Sequence, residues 1–306
     1  MDSLFTYKKA PFLRSSSATW KIMLCVILAL APTVAAGCIS YGISAVMLLV
    51  ATVCSAFAAE LLMCLIFRRV TAAGDLSAVV TGLIFGLLLP PDLPLWQAAA
   101  GSAGAVIIVK QLFGGIGKNF LNPAAAGRLV MVFVFAETMK QYRVPMTDTL
   151  TEEIPILTGS GTYWDLFLGN AAGSIGETCA AAALIGGIFL ILVGVISPAA
   201  PFGYLASLAL CSFLGGKDVI WELLTGGVLF GAFFMATDYT TAPMTRFGKL
   251  LFGIGCGVLT FCLRFYSILP TESVFIAILA MNLLTPLLNR VLRPRPFGAV
   301  RQQSEQ

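Results

Sequence analysis

Residues 41–67 constrain this chain more than any other feature, because 27 consecutive residues include a single charged side chain, Glu60, before the final Phe67. An apolar run of about 20 residues can cross the hydrocarbon core of a bilayer as a helix. Similar runs recur along the chain, in which 58% of residues are hydrophobic and 11% are charged. Soluble domains carry about 25% charged residues. The sequence therefore predicts an all-α integral membrane protein.

Ten membrane-spanning helices are predicted, and their order sets the topology. They cover roughly residues 18–37, 41–67, 76–90, 95–110, 121–138, 178–197, 199–215, 219–236, 248–268 and 271–291. Cytoplasmic loops of membrane proteins are enriched in Lys and Arg. With a cytoplasmic N-terminus, fifteen of the 19 basic residues lie on the cytoplasmic side, Lys110, Lys118 and Arg128 among them. We therefore expect a multi-pass protein of the inner cell membrane with both termini in the cytoplasm.

The spans divide into two groups of five with matching glycine patterns. Gly82-Leu-Ile-Phe-Gly86 in the third span resembles Gly227-Val-Leu-Phe-Gly231 in the eighth. Five spans separate the two copies, and an odd number inverts the second half relative to the first, as in transporters with inverted repeats and interrupted helices. The predicted parts are a cytoplasmic N-terminal tail (1–17), a first five-helix repeat (18–138), an extracytoplasmic loop (139–177), a second five-helix repeat (178–291) and a cytoplasmic C-terminal tail (292–306).

The metal-binding residue types are sparse. The sequence has no His, and its eight Cys are scattered without a Cys-x-x-Cys pair. Haem ligation and His-based catalysis are therefore excluded as leading hypotheses, and no iron–sulfur or zinc site is expected. We expect membrane lipid as a surrounding partner and no nucleic acid.

Residues 114–131 interrupt the apolar pattern with a polar segment rich in glycine. Asn122 and Pro123 are typical of a helix start, with Asn as the cap and Pro at the first helical position. A helix N-terminus with Lys118 and Arg128 nearby favours an anion or an electron-rich ring. Helix capping combined with cytoplasmic anchoring explains the same residues, and both interpretations stay open.

A second polar segment, residues 236–245, follows the eighth span. Asp238, Thr240 and Thr241 offer a carboxylate and hydroxyls that coordinate cations or hydrogen-bond the edge of a ring. A capped turn is the alternative, because Asp and Thr favour turns.

Three glutamates receive a structural interpretation. Glu177 precedes the sixth span, where a carboxylate stabilises a helix N-terminus. Glu60 and Glu222 lie near the ends of their spans, from which they can reach the membrane interface. The sequence therefore predicts no buried cluster of carboxylates that would mark an ion path.

Three segments together carry a family resemblance: "GKNFLNPAAAGR" at 117–128, "DLFLGNAAGSIGET" at 165–178 and "ATDYTTAPMTRFGKLLFG" at 236–253. With the ten-span pattern, they resemble the family that includes the subunit designated D in the Rnf complex and the subunit designated B in the sodium-pumping NADH:quinone reductase. The resemblance implies a flavoprotein subunit, with FMN or riboflavin, of a ferredoxin:NAD oxidoreductase that moves Na⁺ or H⁺. It also implies partner subunits and no catalysis by this subunit alone. The candidate flavin-binding residues are Gly117, Lys118, Asn119, Asn122, Pro123, Asp238 and Thr241.

One position departs from the family pattern. The family carries FMN on a Thr through a phosphoester, in a pattern like Asp-Ala-Val-Thr-Ser-Ala-Thr-Pro-Leu. Here the aligned segment begins at Asp148 and places Ile154, which has no hydroxyl, at the acceptor position. Either the chain lacks covalent flavin, or a shifted Thr, best represented by Thr162, carries it.

The leading hypothesis is therefore an electron-carrying membrane subunit. The alternative is a non-redox transporter or channel for a small solute or ion, since inverted repeats and broken helices serve both. A purely structural membrane anchor is the third hypothesis. Bound flavin separates the first from the second.

Overall fold

The computed structural model describes residues 19–68, 74–115, 117–159, 161–266 and 269–292. The predicted N-terminal tail and residues 293–306 of the C-terminal tail lie outside the described residues. The helices are α1 (Thr19–Tyr41), α2 (Ile43–Ile66), α3 (Ser77–Leu87), α4 (Leu95–Gly104), α5 (Pro123–Val134), α6 (Ala136–Met139), α7 (Pro155–Thr158), α8 (Tyr163–Leu168), α9 (Ala180–Leu192), α10 (Ala199–Leu214), α11 (Val219–Leu224), α12 (Val228–Phe230), α13 (Arg246–Tyr266) and α14 (Ser273–Val291).

Within the described residues, four helical stretches are long and apolar enough to cross a membrane: α1, α2, α13 and Pro270–Val291, which is α14 with the preceding 3₁₀ turn. Four shorter apolar helices, α3, α5, α9 and α10, accompany them. Large apolar side chains such as Leu192 (80% exposed) and Phe133 (72% exposed) face outward. An apolar exterior suits hydrocarbon chains as solvent. The prediction of an all-α membrane protein is confirmed.

Two helices among the described residues continue into π-helical geometry. Helix α4 continues as a π-helix over Ala105–Gln111, and α12 continues as a π-helix over Gly231–Met235. Between α11 and α12 the helix is interrupted at Gly226 and Gly227, whose φ values of 59° and 67° lie in the left-handed region. Glycine adopts this region without a Cβ clash. π-Helical turns occur often at functional sites.

The helices pack against one another in a small number of extensive contacts. Helix α2 packs on α3 and α4, and α10 packs on α11 and α13. Helix α1 contacts α9, and α5 contacts α14. Small residues allow the closest approach, since a Cβ built on Gly253 of α13 would lie 2.2 Å from the Ala200 carbonyl oxygen of α10. The buried core between the helices contains Phe85, Phe230 and Phe275.

The region predicted as a long loop, 139–177, begins at the end of α6 and contains α7, α8 and a small antiparallel ladder of β1 (Tyr142–Arg143) and β2 (Leu150–Thr151). Its last residues pair with the end of α3: Ile175 N–H donates to the Leu89 carbonyl at 3.1 Å, and Gly176 N–H donates to the Leu87 carbonyl at 2.7 Å. These backbone bonds bring residues 174–177 into the interior beside α3.

Candidate functional site

The polar start of α5 is built by its own sequence. The Asn122 Oδ1 atom accepts hydrogen bonds from the backbone N–H groups of Ala124 (3.0 Å) and Ala125 (3.2 Å). Pro123 occupies the first turn, where a missing N–H costs nothing. The prediction that Asn122 caps this helix is confirmed. The Asn122 amide Nδ2 points the other way and lies 3.5 Å from the Met235 carbonyl oxygen.

The second polar turn follows the π-helix that ends at Met235. The Asp238 carboxylate accepts hydrogen bonds from the Thr240 hydroxyl (3.0 Å) and the Thr241 hydroxyl (3.3 Å). The Thr285 hydroxyl of α14 donates to the Thr241 carbonyl at 2.9 Å. The predicted turn is present, and the second half of the chain holds it rigidly.

The two turns meet across a cavity of about 90 Å³ that Asn122, Pro123 and Asp238 line together. Its other walls are mostly apolar and include Phe233 and Phe234. We call the cavity bounded by these five residues the turn cavity. A neighbouring cavity of about 360 Å³ shares Asp238 with it. Ligand sites commonly enclose about 300–1,000 Å³ with apolar walls and few polar groups, a size that the turn cavity reaches only together with its neighbour.

Other predicted residues lie away from the turn cavity. Gly117 and Lys118 are exposed, and the Lys118 stem packs against Gly114. Asn119 is buried, and its Oδ1 atom accepts no hydrogen bond from the described residues. Thr241 is buried beneath the turn, where it contacts Asp238. The structure thus brings together Asn122, Pro123 and Asp238, but not the glycine-rich loop before them.

Thr162 lies on the far loop and serves as the N-cap of α8. Its hydroxyl donates to the Asp165 carboxylate at 2.6 Å, and the Asp165 N–H returns a bond of 3.3 Å to the same hydroxyl. These hydrogen bonds hold the pKa of Asp165 below its usual value. The hydroxyl is therefore engaged beside a negative charge. Ile154, at the family's acceptor position, is buried at the start of α7.

Arg128 was predicted to belong to the cytoplasmic positive charges, and the structure corrects this. The side chain is fully buried, 1% exposed. Its Nε and Nη2 atoms donate to the Glu272 carboxylate, both at 2.8 Å. The third nitrogen, Nη1, donates to the Ser174 hydroxyl at 2.7 Å and to the Leu88 carbonyl. Arg128 is therefore an interior residue that joins α5 to the segment before α14.

Glu177 was predicted to stabilise a helix N-terminus, and this prediction is wrong. Helix α9 begins three residues later, after Cys179, without a side-chain cap. The Glu177 carboxylate instead lies 3.5 Å from Arg128 Nη1. One buried guanidinium therefore faces two carboxylates, those of Glu177 and Glu272, where the sequence predicted no buried carboxylate cluster.

Glu60 was expected at the membrane interface, but it is buried, 1% exposed. It lies 2.7 Å from the buried Lys110 Nζ and accepts a hydrogen bond of 2.7 Å from Gln111. Glu222 pairs with Arg264, whose side chain is also buried. Lys110 and Arg264 thus hold interior glutamates, although sequence position alone assigned them to opposite membrane surfaces.

Sequence reasoning missed Glu272 altogether. It follows Pro270 at the start of a span, like a helix-capping acid, and its partner lies 144 residues earlier. The available signal was the presence of an arginine inside an apolar helix, because such a charge requires a buried partner.

The fold and the turn cavity define a class: a polytopic α-helical membrane protein with interrupted helices and a cavity between two of its polar turns. A sequence model of the NQR2, RnfD, RnfE family matches residues 6–298. The chain belongs to this family, and the predicted resemblance is confirmed.

Two individual relatives match almost the whole chain, and a third matches about two thirds of it. It is 39% identical to the subunit designated D of the Na(+)-translocating ferredoxin:NAD(+) oxidoreductase complex of Acetobacterium woodii, over 98% of this chain and 97% of that protein. It is 32% identical to the corresponding subunit of the proton-translocating ferredoxin:NAD(+) oxidoreductase complex of Clostridium ljungdahlii, over 98% of both chains. It is 36% identical to the subunit designated B of the Na(+)-translocating NADH-quinone reductase of Chromohalobacter salexigens, over 69% of this chain and 56% of that protein.

Proposed function

We propose that the chain is the D-type membrane subunit of an ion-translocating ferredoxin:NAD oxidoreductase complex, in which it carries electrons through a bound flavin and couples their flow to Na⁺ or H⁺ translocation. The observation that carries the proposal is 39% identity over 98% of the chain to the subunit designated D of such a complex. The partners are the other subunits of the complex, and the protein does not catalyse the reaction alone.

The turn cavity is the proposed flavin site. Its walls of Phe233 and Phe234 suit the apolar faces of a tricyclic ring, and the neighbouring cavity that shares Asp238 extends the space. The Asn122 amide can donate to the ring edge, while the rigid turn presents the Asp238 carboxylate to it. A flavin supplies the electron-transfer chemistry, and the protein sets its position and polarity. The hydrocarbon core is about 30 Å thick, so partner subunits must supply further carriers.

Ten membrane helices in two inverted five-helix repeats form the proposed architecture. The paired packing supports it, because the contacts of α2 with α3 and α4 correspond to those of α10 with α11 and α13. The contacts α1–α9 and α5–α14 join equivalent helices of the two halves. The proposed membrane is the inner cell membrane, with both termini in the cytoplasm.

The flavin of this subunit is proposed to be non-covalent. Ile154 has no hydroxyl, and the Thr162 hydroxyl is bonded to the Asp165 carboxylate, which would repel a phosphate. We expect no flavin fluorescence on the denatured gel band of this subunit, and an intact mass without an added flavin phosphate. A fluorescent band that disappears in Thr162→Ala would instead identify Thr162 as the acceptor.

The flavin site is tested in the purified complex with Asp238→Asn, Asn122→Ala and Asn122→Asp. The last variant keeps the helix cap but loses the amide donor. Loss of one buried hydrogen bond costs about 1–3 kcal/mol, so we expect flavin affinity to fall about 5- to 150-fold. Extractable flavin per complex and ferredoxin-dependent NAD⁺ reduction should fall together, while size-exclusion chromatography shows intact assembly.

Asp218→Asn is the matched control, since Asp218 caps α11 on an exposed loop and should leave both quantities unchanged. Normal flavin content and NAD⁺ reduction in all three site variants would refute the site. A wild-type subunit without any flavin absorbance would refute the redox function and favour a non-redox transporter or channel.

A further inference from the structure

The Glu177 carboxylate, whose side chain is 11% exposed, is in excess of the cations around it. The nearest cation is Arg128, 3.5 Å away, and Arg128 already makes two hydrogen bonds to Glu272. Among the described residues, the Glu177 Oε1 atom is buried and accepts no hydrogen bond. Arg128 and Glu272 compensate each other, which leaves the charge of Glu177 uncompensated. A buried carboxylate without a matched cation is costly, and the cost is removed when the group binds a cation.

The charged and titratable groups that face Glu177 come from every element packed around it. Arg128 comes from α5, Glu272 precedes α14, and Tyr142 of β1 lines the same cavity. Arg264 of α13 packs on Gly226, and its own charge is matched by Glu222. Tyr41 of α1 donates its hydroxyl to the Gly173 carbonyl at 3.2 Å. None of these groups offers Glu177 a second full positive charge.

A cavity connects Glu177 with the loop region. It has a volume of about 30 Å³, and its lining includes Arg128, Tyr142, Glu177 and Thr178 together with Ile154 and Leu166 of the loop. We call it the loop cavity. It is distinct from the turn cavity, whose lining residues it does not share. A space of this size can admit water to the carboxylate.

The backbone on both sides of the Glu177 side chain is held in place. Residues Ile175 and Gly176 are hydrogen-bonded to the end of α3. A Cβ on Gly227 would lie 2.7 Å from the Glu177 side chain, so the absence of one makes room for the carboxylate. The group is thus fixed beside Arg128 by neighbours on both sides.

A proton fits the site better than a metal ion. A metal cation needs several oxygen ligands at once, and the described residues contain no group of three His, Cys, Asp or Glu side chains that could hold one. A proton needs one oxygen, and Glu177 Oε1, which faces Arg128 at 3.5 Å, accepts no hydrogen bond from the described residues.

We propose that Glu177 is a proton-binding site at the loop cavity, with Arg128 and Glu272 as the fixed ion pair that positions it. The carboxylate takes up one proton to form a neutral carboxyl group and returns it to water in the loop cavity. As a step of ion translocation, this inference rests on the proposed function, for which it identifies the end of the path nearest the loop region. The proton site itself does not depend on flavin or on electron transfer.

The test is infrared difference spectroscopy of the purified complex between acidic and alkaline pH, without turnover. The wild type should show a protonated-carboxyl band that shifts when glutamate is labelled with ¹³C at the side-chain carboxyl. Glu177→Gln, which keeps the size of the side chain, should lose that band completely. Glu152→Gln is the matched control, because Glu152 is an exposed acid of the same loop region, and it should keep the band.

Two results would overturn the proposal: no glutamate carboxyl band in the wild type at any pH tested, or the same band in Glu177→Gln. Both can be read from the wild-type spectrum or from assembled complex, verified by size-exclusion chromatography. Flavin content measured on the same samples separates the two hypotheses. A complex with flavin but without the band disproves the proton site alone, whereas a complex without flavin disproves the proposed function.

Discussion

Two buried charged sites in this protein differ in their balance of charge. Glu60 and Lys110 form a matched pair at 2.7 Å, with Ser77 and Gln111 supplying further polar contacts. At the other site one arginine, Arg128, faces both Glu272 and Glu177. In a matched pair the two charges neutralise each other. An excess carboxylate keeps its negative charge until it binds a further cation, such as a proton. The difference separates a balanced structural ion pair from the site at which we propose proton exchange.

The largest expected effect is that of Arg128→Met. This variant removes the cation from two buried carboxylates, and breaking a buried ion pair costs about 3–5 kcal/mol of stability. We expect a lower unfolding temperature of the complex at neutral pH. Stability should partly recover as the pH falls, because protonation removes the unmatched negative charges. A variant as stable as the wild type at neutral pH would show that Arg128 does not hold the second site together.

Lys110→Met should come next, since it leaves one uncompensated carboxylate instead of two. We again expect a loss of about 3–5 kcal/mol, toward the lower end. The double variant Glu60→Gln/Lys110→Met removes both charges and should recover most of that loss. Thermal unfolding of the two variants provides the comparison. A double variant less stable than Lys110→Met would mean that the Glu60 charge itself is required.

The smallest effect is expected at Arg143, which pairs with Asp92 where both side chains are about one-fifth exposed. Partly exposed ion pairs contribute about 0–1 kcal/mol, so Arg143→Gln should lower stability by no more than that. Asp148→Asn is the control, because Asp148 is fully exposed and lies 3.7 Å from Arg143. A loss at Arg143 as large as that at Lys110 would show that burial does not set the order of these effects.

Sequence alone predicted the local features of the site. The cap of α5 at Asn122 and the turn at Asp238 depend on hydrogen bonds that span two or three residues. The residues that form these features are therefore close together in the sequence. The helical membrane character also followed from composition, since apolar runs require a buried or lipid-facing helix.

The charged interior could not be predicted in the same way. Arg128 and Glu272 are 144 residues apart, and the sequence around one residue does not indicate that the other is its partner. Counting basic residues for topology assigns each to the nearest span end, so Arg128 and Lys110 were predicted at the surface. Glu177 was assigned to helix capping because the start of α9, three residues further on, cannot be located by hydropathy.

The hydrogen bonds of Ile175 and Gly176 to the end of α3 have a consequence for the integrity of the molecule. They anchor the linker between the halves to the first half, just before the second half begins. A single protease cut near Gly159, in an exposed stretch of that linker, would therefore leave two fragments that stay associated through helix contacts. The two halves are therefore held together by helix contacts that the cut leaves intact, and not by the peptide bond that the cut removes.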